Sequence, residues 1–286
     1  MSGDLGRDAP AGSITRRRPI AIVVHSYFEE DPRVRRQAAA IVDSGRQVDV
    51  ISLRRPGDPA VGDVDGVRVH RLDVQRHQGA GIATYLTEYL AFFLRAAFRL
   101  AREHARRRYA LVQVATLPDW LVFAALPLRL TAVPVILDLH EAMPDFFASR
   151  FPGAANPVVR WFLQAVERAS IAASTHAVTV NEALRKRLTG LGVTGDRISV
   201  VPNSPSLARF DRSSYPVRPF MADGTLRLIF AGGVTPTYEV DVAVRAVALL
   251  RDRRPELPST LDIYGRGDSQ PELERLAAEL ALDDRV

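Results

Sequence analysis

The chain has 286 residues, with 38 Lys+Arg against 33 Asp+Glu and a formal charge of +5. With 47% hydrophobic and 25% charged residues it has the mixture of a chain that buries a core, which excludes a mostly disordered polypeptide. It contains no cysteine, so disulfide frameworks, thiolate metal sites and cysteine nucleophiles are excluded together.

The length suits one large domain or two modest ones. Residues 1–18 (MSGDLGRDAPAGSITRRR) are polar and read as a flexible tail. The apolar run behind it, Ile20 to Val24, is shorter than a secretory signal core, and the most apolar region, Ala110 to Leu128, is broken by Pro118, Asp119 and Pro127. A cytoplasmic protein is expected.

Short β-branched runs then alternate with helical patterns: IAIVVHS (20–26), a helix over 34–45, QVDVISL (47–53), VRVHRLD (67–73) and a long helix from Ile82 to Arg108. The pattern continues with ALVQVAT (110–116), a helix over 119–130, PVILDLH (134–140), a helix over 157–173, HAVTV (176–180), a helix over 182–188 and ISVVP (198–202). Such alternation predicts crossover units on a parallel sheet. Seven strands fit one doubly wound, Rossmann-like domain over 19–205.

The stretch 204–224 carries Pro205, Pro216, Pro219 and Gly224 without sustained periodicity, and residues 206–224 read as a linker. Beyond it come LRLIFAGG (226–233), a helix over 240–253, STLDIYG (259–265) and a helix over 271–282. The segment 225–286 is therefore expected to be the first half of a second Rossmann-like domain. Two parallel strands alone leave sheet faces uncovered, so a truncated domain is expected.

Open α/β sheets bind ligands at the carboxyl ends of their strands. After the first strand no glycine occurs between His25 and Arg36, so the dinucleotide fingerprint is absent where a nicotinamide enzyme needs it. Asp31-Pro32 instead suits a helix N-cap and first-turn proline, followed by Arg33, Arg35 and Arg36. This reads either as a capped surface helix or as an anion site. After the fifth strand, Asp138, His140 and Glu141 place three ionisable groups within four residues, suited to proton transfer or to recognition of sugar hydroxyls. A structural histidine is the alternative. Gly232-Gly233-Val234-Thr235 and Gly265-Arg266-Gly267 are glycine turns after strands, readable as phosphate cradles or as ordinary tight turns.

The 82–108 helix has an aromatic first half and a second half rich in arginine: six arginines against Glu88 and Glu103. It reads as a crossover helix with a solvated face, or as an amphipathic helix on an anionic membrane. Nucleic acid is not expected as a partner, because the positive charge lies in this helix and in Arg16–Arg18 without a reading module.

Taken in order, Asp31-Pro32-Arg33-Val34-Arg35-Arg36, Asp138-x-His140-Glu141, Val201-Pro202-Asn203, Ala231-Gly232-Gly233 and Tyr264-Gly265-x-Gly267 resemble glycosyltransferase family 4, retaining enzymes of the GT-B fold. The resemblance implies two Rossmann-like domains, an acceptor-side one first and a donor-side one second. It implies that Gly232, Gly233, Thr235, Gly265 and Gly267 bind a nucleotide-sugar donor, and that His140 is the catalytic residue facing the transferred sugar. Asp31, Arg33, Arg36, Asp138, Glu141 and Asn203 would contact the acceptor or the sugar. The acceptor would be a sugar, a lipid-linked molecule or a small molecule; no metal and no cofactor are implied. A departure lies after the glycine turn, where members commonly carry an arginine and then a lysine, and this chain has Gly233 and Tyr238. Rival readings are a non-catalytic binding protein of the same fold completed by a partner, and a nucleotide-sugar epimerase.

Overall fold

The computed structural model describes residues 18–75, 81–151, 153, 156–205, 210–217 and 219–286. Of the expected tail only Arg18 is among them, and residues 206–209 and 218 of the expected linker lie outside them. The chain forms two compact units, Met1–Ser206 and Leu207–Val286.

The first unit runs β1 (Ile20–Val23), α1 (Pro32–Asp43), β2 (Val48–Leu53), β3 (Val61–Val64), β4 (Val67–Leu72), α2 (Ile82–Arg107) and β5 (Leu111–Ala115). It continues through a 3-10 segment (Asp119–Ala125) into α3 (Leu126–Leu130), then β6 (Val135–Leu139), α4 (Met143–Arg150), α5 (Pro157–Ala173), β7 (His176–Thr179), α6 (Glu182–Gly190) and β8 (Ile198–Val200). The strands form one sheet in the order β3-β4-β2-β1-β5-β6-β7-β8. All neighbours are parallel except β3 and β4.

Alternation along β1 builds a core on each face of the sheet. Ala21 and Val23 join Phe92, Ala96 and Leu100 of α2. Ile22 and Val24 join Val34 and Ala38 of α1. The central β2 is buried throughout, including Asp49, whose carboxylate accepts from Tyr109 Oη at 2.7 Å and Arg107 Nη1 at 2.5 Å.

The sheet has eight strands where seven were expected. The extra one, β3, is a four-residue edge strand joined to β4 by Asp65-Gly66, both with positive φ (53° and 78°). That pair is the favoured two-residue hairpin turn, and Gly62 and Asp63 mask the strand before it. Two helices also differ from expectation. The 119–130 helix opens as a 3-10 segment, and α4 forms over a stretch that carried no helical assignment.

The second unit is β9 (Leu226–Ala231), α7 (Val240–Arg253), β10 (Ser259–Tyr264) and α8 (Gln270–Glu279). The two strands are parallel, from Leu226↔Ser259 to Ala231↔Tyr264. Val244, Val247, Leu261 and Leu273 make its core, while Ile229 and Tyr264 on the opposite face are exposed. No helix among the described residues is long and apolar enough to cross a membrane.

Candidate functional site

In chain order β1 is followed by its neighbour β2, whereas β5, its neighbour on the other side, comes only after α2. The connections therefore diverge at β1 and β5, which opens a crevice at the carboxyl ends of the strands. A cavity of about 360 Å³ lies there, within the range of small-molecule sites. It is walled by residues just past β1 (His25, Ser26), by the start of α1 (Asp31, Arg33), by Thr116 past β5, and by His140 and Glu141 past β6.

Asp31 caps α1: its Oδ1 accepts from the backbone N–H of Arg33 at 3.1 Å and of Val34 at 3.4 Å. The same carboxylate receives Arg33 Nε at 3.0 Å and Nη2 at 2.9 Å, and Ser26 Oγ at 2.9 Å. Burial alone would raise this carboxyl, but the Arg33 hydrogen bonds and charge, with Ser26 and Val34, outweigh it and hold the acid below its ordinary value. Arg33 is correspondingly raised, first by its hydrogen bond to Asp31 and further by the charges of Glu141 and Asp138, with burial opposing. The capped-helix reading of this segment is met, with the Arg33 guanidinium paired to the capping carboxylate. The cap fixes a guanidinium at the cavity wall.

Asp138 lies behind that wall. It is buried, and its Oδ2 accepts from Gln37 Nε2 at 2.7 Å and Gln113 Nε2 at 3.0 Å, and lies 3.0 Å from His140 Nε2. A carboxylate only accepts, so the His140 Nε2 carries the proton in this contact. The Nδ1 is buried and has no hydrogen-bond partner among the described residues. The His140 backbone N–H donates to Thr116 Oγ1 at 3.3 Å, tying the end of β6 to that of β5. On the far side of the cavity His25 lies 3.1 Å from Glu88 of α2 and meets Tyr89 and Phe92 edge-on.

Asp31, Arg33, Asp138, His140 and Glu141 therefore converge on one place. Arg36, one turn along α1 from Arg33, donates to Asn203 Oδ1 at 3.3 Å. The remaining five expected residues lie in the second unit. There the Gly232 N–H donates to Tyr264 O and the Val234 N–H to Arg266 O, each at 3.0 Å. A Cβ on Gly265 would stand 2.0 Å from Gly232 O, and one on Gly267 1.9 Å from Val234 O. Both glycines are thus required by the close packing of the two turns. Gly233 packs against the Tyr238 ring, and Thr235 lines a cavity of about 170 Å³ together with Asp241 and Glu272.

Sequence reading passed over His25, Ser26, Thr116, Gln37 and Gln113. The first three immediately follow strands, so the strand-end rule reaches them; the two glutamines have no local signal, since α1 and β5 meet Asp138 only through the sheet. Among the described residues no cluster of three His, Cys, Asp or Glu could hold a metal ion.

A family model described as "Glycosyl transferase 4-like domain" matches residues 31–204. D-inositol 3-phosphate glycosyltransferase of Pseudarthrobacter chlorophenolicus is 36% identical over 104 residues, a stretch covering 33% of this chain and 24% of that protein. The chain thus matches about a quarter of the length of this curated relative. Sucrose-phosphate synthase from Thermosynechococcus elongatus has the same fold, with a TM-score of 0.66 at 18% identity over 94% of this chain and 69% of that one. An Anabaena protein solved in complex with UDP and glucose has a TM-score of 0.55 at 13% identity, over 93% of this chain and 67% of that one. These likenesses bear out the α/β fold of GT-B type.

Proposed function

We propose sugar transfer as the function of this chain, which belongs to the glycosyl transferase 4-like domain family. In this reading a sugar moves from a nucleotide-sugar donor to an acceptor hydroxyl with retention of configuration. The bond from the anomeric carbon to the diphosphate oxygen breaks, and a bond to the acceptor oxygen forms on the same face. The acceptor proton leaves with the nucleoside diphosphate. The nucleotide-sugar is a substrate, and no metal or cofactor takes part.

The observation that carries the reading is the anchored imidazole. Asp138 holds His140 by Nε2 at the wall of a strand-end cavity and so fixes the ring beside the space a sugar would occupy. Arg33 and Glu141 line the same cavity and supply a donor and an acceptor for further hydroxyls. A polar pocket that orients one hydroxyl against the anomeric carbon converts binding into rate by proximity. The donor side is assigned to the turns at Gly232–Thr235 and Gly265–Gly267, where the Gly233 N–H makes no backbone hydrogen bond among the described residues.

The test incubates the full chain with UDP- and GDP-hexoses and a panel of hydroxyl acceptors, and reads anomeric configuration by NMR. Transfer with the donor's configuration kept supports the proposal. An inverted product, or donor turned over with no acceptor present, overturns it.

A further inference from the structure

We infer that the acceptor is a lipid, taken from an anionic membrane surface on which α2 lies. The inference rests on the sugar-transfer reading and names its acceptor class. Three observations carry it: an apolar cavity beside the polar one, an exposed apolar ridge leading from it, and the charge pattern of that ridge.

The second cavity, about 110 Å³, is lined almost wholly by apolar groups, among them Tyr85 and Leu86 of α2, Trp120, Met143 and Phe147. It shares Tyr89, Leu117 and Phe146 with the His140 cavity. A polar chamber that meets an apolar one across a shared wall suits a molecule with a hydroxyl-bearing head and a hydrocarbon tail. A purely polar acceptor leaves the second chamber unused.

Residues four apart on a helix form a continuous row. On α2 one such row reads Leu86, Leu90, Leu94, Phe98, Arg102, Arg106. Its four apolar members are 56%, 51%, 58% and 70% exposed, and Leu86 is itself part of the apolar cavity. Ala101 and Ala105 extend the same exposed face. A crossover helix with a solvated face is ordinarily more polar here. Contiguous exposed apolar surface marks an interaction site.

Charge selects the partner. Both acidic residues of α2 are buried, Glu88 beside His25 and Glu103 beside Arg99 and Arg106. The exposed side of α2 therefore carries no negative charge, while Arg95, Arg102 and Arg106 border the apolar row. Apolar residues flanked by arginines, without acids, match a helix seated at the boundary of acyl chains and anionic headgroups. The apolar half of the row lies at the end of α2 next to the cavities, so a tail leaving the apolar chamber continues into the bilayer.

The experiment floats the full chain with vesicles of phosphatidylcholine alone, or of phosphatidylcholine with phosphatidylglycerol. It compares the parent with a Leu90→Glu/Leu94→Glu/Phe98→Glu variant and with Arg102→Gln/Arg106→Gln, after circular dichroism has shown both variants folded. Binding to the anionic vesicles that falls about tenfold in either variant, and that weakens with salt, is expected. In transfer assays, an acyl- or prenyl-bearing acceptor should be preferred over its tail-less analogue, and Phe147→Asp should reduce that preference. Equal vesicle binding by parent and variants overturns the inference. So does a dimer of the parent that the triple variant abolishes, with no vesicle binding. Transfer to a soluble acceptor with no preference for a tail overturns the lipid acceptor while leaving sugar transfer standing; vesicle binding without transfer to any acceptor overturns the sugar-transfer reading instead.

Discussion

Asp138 Oδ2 and His140 Nε2 lie 3.0 Å apart, as alternation along a strand gives both residues the same side and Leu139 the other. Asp138 is buried and His140 is a wall residue of the cavity, so the pair sits at the boundary between core and site. Gln37 and Gln113 donate to the same oxygen and hold the carboxylate in place.

If this pair orients the ring for the sugar, His140→Ala should lower kcat about a hundredfold while the thermal midpoint stays near that of the parent. Asp138→Asn keeps the shape but removes the charge, and should fall between the two in kcat. Steady-state kinetics on one acceptor check both, and a His140→Ala enzyme as fast as the parent would remove the assignment.

Asp119, at the start of the 3-10 segment after β5, is fully buried, and neither carboxyl oxygen has a hydrogen-bond partner among the described residues. Burial, and then the charge of Glu167, push its pKa from 3.8 up to about 8, with Arg187 opposing. The folded chain thus holds a proton that the unfolded chain has released. This stabilising term is fully present below pH 3.8 and is lost as the pH rises through about 8. Asp119→Asn is neutral at every pH, so it should match the parent near pH 4 and exceed it increasingly as the pH rises, by about 5 kcal/mol at pH 8. Urea unfolding across that range measures the gap; a gap that does not widen with pH counts against a protonated Asp119.

The turn glycines of the second unit give a third expectation. Gly265→Ala drives a methyl group onto Gly232 O, an atom of the backbone that cannot swing aside, and should cost about 3 kcal/mol. Gly190→Ala meets nothing within 4 Å at the end of α6 and serves as the control, near neutral or slightly stabilising. Denaturation of the two variants side by side decides this, and a Gly265→Ala protein as stable as the control would show that the two turns are not packed as described.

What the amino-acid order determined by itself is local. Asp31-Pro32 encodes a helix start because a carboxylate one residue before a proline reaches the orphan N–H groups of the first turn, and α1 begins there. The alternating pattern encodes parallel strands for the same kind of reason: each β-branched run and each helical period is a property of a few adjacent residues. Even the overlooked β3 was encoded locally, by Asp65-Gly66.

The tertiary structure decided what depends on neighbours distant in sequence. Sheet order brings Gln37, Gln113 with Thr116, and His140 together from three separate segments, and no spacing rule links those segments. The same holds for α2, whose composition showed aromatics and arginines but not which side would face outward. Packing turned Phe92, Ala96 and Leu100 against the sheet and buried Glu88 and Glu103. That choice alone left Leu86, Leu90, Leu94 and Phe98 exposed, because a helix with apolar residues on more than one side can bury only the side its neighbours cover.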